Sequence, residues 1–435
     1  MGKNRVSIIL VFSLISAFSS VLRASDLSEL SKVNCKNLNQ VLNNFGGLKS
    51  FYISVPRDWS NEKGSRIPLF VWYKKGEFKY PPLLLLHGGP AANSASFPSK
   101  FADLIKKYPG DVVSLDQRGG NSCSADLTGN LPLTSYIHLQ ATNIVNDLEY
   151  LRRYYFSGRK WRAFGQSRGS LVLHMYLNYF PNSLESVHAH GWSLMDSGQA
   201  SKMTFIRANA YLRTSEAYLK KYPQDRAIVA KIKRSINNQI CWPAFEGHTY
   251  CGPSVVDIFG YDLGKPTSWD GIHKNLVGTL DANGNVNPTA LYNVILKAIK
   301  SDGFAWINYI AATFSQESFY PDYASLVALR NFPIYNMPVL SEIRYLSDVI
   351  KPSHGIKWRS NSFVPDYAKI KSYLERNPRF NYFLYSGALD SIAPVEIFQH
   401  EVSKLGGAVK YNHFLNSGHD GWWSEPLIQQ RLLLF

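Results

Sequence analysis

The sequence predicts an α/β protein, in which a mostly parallel β-sheet carries helices on both faces and a mainly helical lid domain is inserted. The first observation behind this prediction is that short apolar runs alternate with helical stretches up to about residue 196, which favours parallel strands joined by helices. The second is that this alternation stops near residue 197 and resumes near residue 372. Aromatic-rich helical stretches and polar loops fill the interval, so we place the lid there.

Four segments follow from this pattern. We predict a signal peptide over residues 1–24, a first core part over 25–196, a lid over 197–371 and a second core part over 372–435. The leader has a basic start at Lys3 and Arg5, then a short apolar stretch and small residues, which is typical of a secretory signal. Cleavage after Ser19 and cleavage after Ala24 both fit. The apolar stretch is short for a membrane span, so we predict an exported protein, periplasmic or secreted, without stable membrane insertion after cleavage.

Composition sets further bounds. The chain has 435 residues, of which 45% are hydrophobic and 18% charged, as expected for a globular protein of one large domain with an insertion or of two domains. The formal charge of +15 favours anionic surfaces. We find no basic run, zinc spacing or known binding motif, so we predict no nucleic-acid partner. The sequence carries no signal for an oligomeric state.

Four cysteines fit an oxidising compartment. Cys241 and Cys251 close a short loop and form the first predicted disulfide, which leaves Cys35 to pair with Cys123; free buried thiols are the alternative. The sequence has no Cys-x-x-Cys and no His/Cys cluster, so we predict that the protein holds no metal and no cofactor.

The core strands follow from short apolar runs, several of them bounded by turn residues. The predicted strands, in chain order, are Phe51–Val55, Ile67–Tyr73, Leu83–Leu86, Asp111–Leu115, Trp161–Phe164, Val187–Met195, Phe380–Tyr385 and Ala408–Leu415. Apolar residues at helical spacing predict the core helices Ser99–Lys107, Tyr136–Tyr155, Leu171–Tyr179, Pro394–Leu405 and Glu425–Leu434, and the lid helices Met203–Lys221 and Leu291–Ser315. Ligands of parallel sheets bind at the carboxyl ends of the strands, where His87, Asp116, Ser167 and Asp196 fall.

The strongest motif is Gly165-Gln166-Ser167-Arg168-Gly169, which lies between a predicted strand and a predicted helix. This Gly-x-Ser-x-Gly pattern is typical of a nucleophile elbow, in which a strained turn exposes the serine hydroxyl. The two glycines let the strand and the helix pack closely. The start of the helix supplies backbone N–H groups for a developing oxyanion. Ser167 is therefore the predicted nucleophile.

A serine nucleophile needs a histidine base and a carboxylate that orients it. Asp390 and His419 each follow one of the last two strands, in the order that this elbow requires, and Gly418 and Gly421 leave His419 room to approach the serine. We predict Ser167, Asp390 and His419 as the triad, with Asp196 as the alternative acid. We expect His174 to be a core or lid-facing side chain.

His87-Gly88-Gly89-Pro90 follows the third strand, where half of an oxyanion hole is expected, and the N–H of Arg168 completes it. We expect His87 to brace this loop, and Asp116 to Asn121 to hold neighbouring loops together through Arg118.

With these motifs the sequence resembles the proline iminopeptidase and tripeptidyl aminopeptidase branch of the α/β-hydrolases. The shared motifs are His-Gly-Gly-Pro, Asp-Gln-Arg-Gly, Gly-x-Ser-x-Gly, an Asp and a Gly-His pair, within residues 48–196 and 378–425. The resemblance implies the α/β-hydrolase fold and a serine exopeptidase that acts on free peptide amino termini. It also implies Ser167, Asp390 and His419 as the triad, with Gly89 and Arg168 as oxyanion donors.

The chain departs from the family pattern at Ala91 and Asn121, and at Arg168, where an aromatic residue is usual. We predict either that Arg168 pairs with a substrate carboxylate or with the lid acid Glu317, or that it lies on the helix surface. The candidates for substrate binding are Gly88, Asp196 and Glu317. The lid acids that could bind a substrate ammonium are Glu216, Glu246, Glu317 and Asp322.

Three functions compete. The first is an exported serine aminopeptidase acting on short peptides, and the second is an esterase or amidase on the same scaffold, because a fold and a triad do not fix the acyl donor. The third is a catalytically inactive binding protein, which an intact Ser/Asp/His set disfavours. The predicted partner is therefore a small peptide or ester substrate.

Overall fold

The computed structural model describes residues 47–89, 94, 97–119, 138–192, 197–243, 249–299, 366–422 and 425–434. Its ten strands are β1 (Leu48–Pro56), β2 (Arg66–Lys74), β3 (Leu83–Leu86), β4 (Val112–Leu115), β5 (Trp161–Gln166), β6 (Leu184–His190), β7 (Cys241–Pro243), β8 (Thr249–Cys251), β9 (Asn381–Gly387) and β10 (Lys410–Phe414). Eight of them form one sheet in the order β1-β2-β4-β3-β5-β6-β9-β10. Only β2 runs antiparallel to its neighbours, β1 and β4, and every other pair is parallel. The predicted mostly parallel sheet is confirmed.

The helices connect these strands and cover both faces of the sheet. In the core they are Phe97–Lys100, Ala102–Lys107, Ala141–Tyr155, Arg168–Tyr179, Tyr367–Arg376, Val395–Leu405 and Pro426–Leu433. Within residues 197–299 they are Ser197–Lys221, Asp225–Ser235, Gly260–Leu263, Trp269–Val277 and Pro288–Ile299. Short 3-10 turns lie at Pro181–Ser183, Pro253–Phe259, Pro266–Ser268 and Gly406–Ala408. None of the helices in the described ranges combines the length and the apolarity that a membrane span requires.

The central strands are apolar on both faces because helices cover both sides of the sheet. In β3, Leu84 and Leu86 pack into the cluster that contains the helix Ala141–Tyr155. The alternate residues Leu83 and Leu85 pack on the opposite side with Phe97, Trp422 and their neighbours. A buried strand with period-two alternation therefore has a separate hydrophobic cluster on each face.

The described elements within residues 197–299 add no strand to the large sheet and have a hydrophobic cluster of their own. We call residues 197–299 the insert. Its centre includes Trp242, Trp269 and Ile272, all buried. The predicted disulfide between Cys241 and Cys251 is present and links β7 to β8. The second predicted pair, Cys35 with Cys123, lies outside the described residues, as does the leader.

The insert, in which the sequence indicates no clear buried strand, contains two strands of three residues, β7 and β8, which pair at the disulfide partners Cys241 and Cys251. One prediction about strands is corrected. We expected the sixth strand to run over Val187–Met195 and to end at Asp196. It spans Leu184–His190 instead, and Gly191 follows it with a φ of 69°, which extended strands do not adopt.

Candidate active site

Ser167 lies at the junction of β5 and the helix Arg168–Tyr179, which we call the elbow helix. Its φ of 53° and ψ of −122° put a non-glycine residue in a sparsely populated region, and strain of this kind is concentrated at functional sites. The flanking glycines are sterically required. A Cβ on Gly165 would lie 2.5 Å from the carbonyl oxygen of Gly169, and one on Gly169 would lie 2.4 Å from that of Leu86. Strand, turn and helix are thus packed backbone to backbone.

The end of β6 holds the elbow in place. The N–H of Ser167 donates to the carbonyl oxygen of His190 at 2.7 Å, and the hydroxyl of Ser170 donates to the same oxygen at 2.7 Å. The next residue, Gly191, lies between the elbow and the imidazole of His419. A Cβ at Gly191 would be 3.2 Å from Cε1 and Nδ1 of His419 and 3.7 Å from the backbone nitrogen of Ser167. Ser167 and His419 therefore converge on one glycine.

His419 and Asp390 form a buried pair. Nδ1 of His419 is 2.9 Å from Oδ2 of Asp390, and both side chains are almost completely excluded from solvent. The other carboxylate oxygen, Oδ1, accepts hydrogen bonds from the backbone N–H groups of Ile392 and Ala393 at 2.9 and 2.7 Å. A carboxylate held by two backbone donors has a fixed orientation. Because carboxylate oxygens accept hydrogen bonds, this contact favours the tautomer that carries its proton on Nδ1.

The loops that carry these two residues are tied to each other. The N–H of Leu389 donates to the carbonyl oxygen of Ser417 at 3.0 Å, and that of Ala388 donates to Phe414 at 2.9 Å. A Cβ on Gly387, the last residue of β9, would lie 2.2 Å from the carbonyl oxygen of Ser417. Glycine at that position lets the loop of the histidine lie directly against the end of the strand.

The loop after β3 lies against the elbow from the other side. A Cβ on Gly88 would be 2.3 Å from Oε1 of Gln166 and 3.0 Å from Cβ of Ser167, so Gly88 lies directly against the side chains of the elbow. Gly89 has a φ of 135°, which also favours glycine. In the predicted oxyanion loop, the backbone conformation therefore favours glycine at position 89, and Gly88 brings the loop into contact with the elbow.

His87 has the geometry of a brace. Its Nδ1 donates to the carbonyl oxygen of Gly88 at 2.7 Å, and its Nε2 accepts from the N–H of Gln117 at 3.3 Å. Burial lowers the pKa of His87, which favours the neutral ring that this donor and acceptor pattern needs.

Of the alternatives considered for Arg168 from sequence, a position on the helix surface is wrong, whereas pairing with a substrate carboxylate or with Glu317, which lies outside the described residues, stays a prediction. Its side chain is buried and donates to the carbonyl oxygen of Leu139 at 2.8 Å, with Oε1 of Gln117 at 3.4 Å. Gln117 in turn donates to the carbonyl oxygen of His87 at 2.7 Å. The guanidinium thus links the elbow helix to the oxyanion loop and does not lie on the helix surface, because loop carbonyls supply the acceptors that a buried guanidinium needs.

The remaining predicted residues fall into two groups. Asp196, Glu246, Glu317 and Asp322 lie outside the described residues, so their proposed roles stay predictions, whereas Glu216 is described and exposed. Asp116 accepts from the N–H of Ser94 at 2.8 Å. Arg118 pairs with Asp147 and with the carbonyl oxygens of Pro56, Arg57 and His138, so this motif joins loops. His174 is fully buried and contacts Tyr382 and Trp192.

Sequence reasoning missed two residues beside the site, Gly191 and His190. His190 is buried, and among the described residues neither ring nitrogen has a hydrogen-bond partner. Burial, with a smaller contribution from nearby His419, holds its pKa well below the usual range. Both residues lie where β6 ends, at His190, and not where we predicted its end. The glycine at position 191 was the sequence signal that could have indicated this end. Within the described ranges, no group of three or more His, Cys, Asp or Glu side chains is placed to hold a metal.

About half of the chain is similar to curated relatives. A proline iminopeptidase of Aeromonas sobria is 30% identical over 224 residues, which cover 49% of this chain and 52% of that protein. Proline iminopeptidase aneH of Aspergillus aculeatus is 30% identical over 175 residues, or 36% of this chain and 37% of that protein. The chain therefore matches about half or less of the length of these relatives. No model of a known protein family matches it.

Hydrolases are among the solved structures with a similar course of the chain. A proline iminopeptidase of Mycobacterium smegmatis has a TM-score of 0.42 at 12% identity, covering 88% of this chain and 97% of that one. An acetylester hydrolase of Corynebacterium glutamicum has a TM-score of 0.46 at 13% identity, covering 90% and 96%. The sheet order and the strained Ser167 between a strand and a helix are those of the α/β-hydrolase fold, and over about half of its length the chain is similar to a proline iminopeptidase.

Proposed function

We propose that this chain is an exported serine hydrolase that releases residues from the free amino termini of short peptides through an acyl-enzyme. The observation that carries the proposal is the buried contact of 2.9 Å between His419 and Asp390, beside a serine with a φ of 53°. A histidine oriented by a carboxylate and next to a strained serine is the arrangement that activates a hydroxyl for acyl transfer.

In the proposed reaction, the hydroxyl oxygen of Ser167 attacks the carbonyl carbon of the first peptide bond. Nε2 of His419 takes the hydroxyl proton, and Asp390 stabilises the imidazolium that forms. The tetrahedral intermediate collapses, the C–N bond breaks, and His419 gives its proton to the leaving amine. Water then attacks the ester on Ser167, His419 again takes a proton, and the freed acid leaves with the hydroxyl restored.

The negative charge of the tetrahedral intermediate needs donors that are already in position. We assign this role to the backbone N–H groups of Gly89 and Arg168. Two contacts support the assignment: Gly88 packs against Cβ of Ser167, and the Arg168 side chain is connected through Gln117 to the carbonyl oxygen of His87. Both halves of the proposed oxyanion hole are therefore braced against each other.

The preference for peptide amino termini rests on two supports. The two curated relatives, which match 49% and 36% of this chain, are both named proline iminopeptidase. In addition, the insert reaches the loop of the proposed base, because Pro266 of the insert lies where a Cβ on Gly418 would be. A roof beside the serine favours small or end-bound substrates over folded chains.

Export rests on the predicted leader and on the disulfide between Cys241 and Cys251, which is typical of an oxidising compartment. We infer that the mature protein works outside the cytoplasm.

A set of short peptides with free and with acetylated amino termini tests the proposal, with Ser167→Ala as the inactive control. We expect release of amino-terminal residues from the free peptides, a fall of at least about 100-fold on acetylation, and loss of release in Ser167→Ala. Equal cleavage of blocked peptides, or turnover of p-nitrophenyl esters alone, would replace the aminopeptidase by an endopeptidase, amidase or esterase.

A further inference from the structure

A turn of the insert lies between the two loops that carry the proposed acid and base. We call residues 264–267 the insert turn, residues 388–393 the acid loop and residues 415–420 the base loop. The insert turn contacts both loops through its backbone and through the side chains of Pro266 and Thr267. The insert turn is therefore in direct contact with the loops of the proposed acid and base.

The first contact is a hydrogen bond to the base itself. The backbone N–H of His419 donates to the carbonyl oxygen of Gly264 at 2.8 Å. The preceding residue packs against the same turn, since a Cβ on Gly418 would lie 2.2 Å from Cδ of Pro266 and 2.5 Å from the oxygen of Gly264. The main chain of the base loop thus rests on the insert turn on both sides of the peptide bond before His419.

A second bond lies one residue further along. The hydroxyl of Thr267 donates to Oδ2 of Asp420, the residue after the base. The base loop is consequently held by the insert at positions 418, 419 and 420 in succession.

The same turn contacts the acid loop. A Cβ on Gly264 would lie 2.7 Å from the hydroxyl oxygen and 3.1 Å from the backbone nitrogen of Ser391, the residue after Asp390. Gly264 has a φ of −67°, which every residue adopts, so its lack of a side chain is explained by this close approach and not by its backbone.

The insert turn is itself anchored in the hydrophobic cluster of the insert. Leu263, directly before it, is fully buried, and its carbonyl oxygen accepts from Nε1 of Trp269 at 2.8 Å. Backbone bonds from Lys265 to Asp262 and from Ser268 to Lys265, at 3.0 and 2.8 Å, close the turn on either side. Through these bonds the position of Gly264 depends on the packing of the insert.

We propose that the insert turn is a positioning element for His419, so that the insert is needed to place the base and not only to cover the site. The inference rests on the proposed function. A misplacement of about 1 Å in a reacting group can cost on the order of 100-fold in rate, and three consecutive contacts fix the loop of the base.

Graded substitutions of Gly264 test the proposal, with fluorophosphonate labelling of the intact protein as the readout. We expect the maximal labelling rate to fall about 10-fold in Gly264→Ala and about 100-fold in Gly264→Val, with the half-saturating reagent concentration unchanged. Gly271→Ala and Gly271→Val are the matched controls, because a Cβ at Gly271, on a helix of the insert, has nothing within 4 Å. Both controls should label at the wild-type rate.

Thr267 gives a second test on the exposed surface, where misfolding is not a concern. We expect Thr267→Val to lower the maximal labelling rate about threefold, the worth of one modest hydrogen bond, and Thr267→Ser to restore it. Wild-type rates in both Gly264 variants and in Thr267→Val would overturn the inference. Absence of labelling in the wild-type protein would instead overturn the proposed function, so the two failures are distinguishable.

Discussion

Two histidine–aspartate pairs in this molecule share one contact and differ in their surroundings. In the sheet domain, Nδ1 of His419 is 2.9 Å from Asp390, and in the insert, Nδ1 of His273 is 2.9 Å from Asp225. We call them the core pair and the insert pair. Both aspartates are fully buried, so neither the distance nor the burial of the acid distinguishes them.

The differences lie in what holds each member. Asp390 sits on a loop and is oriented by backbone N–H groups, whereas Asp225 begins a helix and accepts from the hydroxyl of Tyr218. His273 lies on another helix, is 25% exposed and stacks on Tyr222, with ring centroids 4.3 Å apart. The insert pair thus joins three helices.

Because the histidine–aspartate contact is the same in the two pairs, this contact alone does not indicate a catalytic base. The core pair lies beside a serine in a strained turn and beside Gly191, which leaves the imidazole room. Among the described neighbours of the insert pair that make hydrogen bonds, we find tyrosines and no strained serine. We therefore expect catalysis to depend on Ser167 and on the loops that carry Asp390 and His419, and we expect changes in the insert pair to leave it unaffected.

The largest expected effect comes from removing the base. We expect His419→Gln to lower kcat by about 10⁶-fold, because loss of a triad histidine removes proton transfer altogether. His273→Gln, the same change in the insert pair, should leave kcat within about twofold of the wild type, since His273 lies outside the proposed site. Steady-state hydrolysis of an aminoacyl p-nitroanilide measures both, and similar losses in the two variants would erase the distinction.

The acids should differ in the same direction by a smaller factor. Asp390→Asn should lower kcat by about 10⁴-fold, because an amide no longer holds the reactive tautomer of His419. Asp225→Asn should leave kcat unchanged but lower the free energy of unfolding by about 2 kcal/mol, since Tyr218 and His273 lose a charged acceptor. Urea denaturation and kinetics on both proteins check this, and an activity loss in Asp225→Asn with intact folding would speak against it.

The space beside His419 gives a third separation. Gly191→Ala puts a Cβ 3.2 Å from the imidazole, and we expect about a 100-fold fall in kcat from displacement of the ring. Gly284→Ala is the matched control, because Gly284 has a similar φ, 74° against 69°, and no atom within 4 Å of its Cβ position. It carries the same backbone strain without the contact. Equal kcat values in the two variants would show that the contact between the new Cβ and the imidazole of His419 has no effect.

The smallest effect on catalysis is expected at Glu149, a buried carboxylate outside both pairs. Although burial alone raises its pKa, hydrogen bonds from Arg152, Tyr176 and Arg153 lower the pKa of Glu149 to about 2. Tyr176 belongs to the elbow helix. Because the folded-state pKa lies below the ordinary value of 4.5, the stabilisation is complete above that value and is lost as the pH falls towards 2.

We therefore expect Glu149→Gln to lower the free energy of unfolding by about 2 kcal/mol at neutral pH and to leave kcat unchanged. The difference from the wild type should shrink between pH 4.5 and 2. Denaturation at a series of pH values measures it, and a difference that grew on acidification would reverse the sign of the argument.

Much of this architecture could be predicted from local sequence. The runs at Leu83–Leu86 and Trp161–Phe164 are buried strands because parallel sheets need apolar residues on both faces, and Gly-x-Ser-x-Gly specifies its own turn. The short loop between Cys241 and Cys251 likewise specified its disulfide. In each case the cause lies within a few residues of the effect.

The parts that could not be predicted depend on residues far apart in the chain. Gly191 became a site residue only when β6 ended at His190, and Gly264 only because the insert packs against the loop of His419. The Arg168 side chain pairs with carbonyl and amide oxygens of loops that no local pattern brings together. Tertiary packing decides such positions, and a single sequence records it only indirectly.

One measurement tests the central claim most directly: the site and rate of fluorophosphonate labelling, located by mass spectrometry of proteolytic peptides. The account predicts one adduct, on the peptide that contains Ser167, formed equally fast in the wild type and in His273→Gln. No adduct should form over the same time in His419→Gln. Labelling at another residue, or equal labelling in His419→Gln, would contradict it.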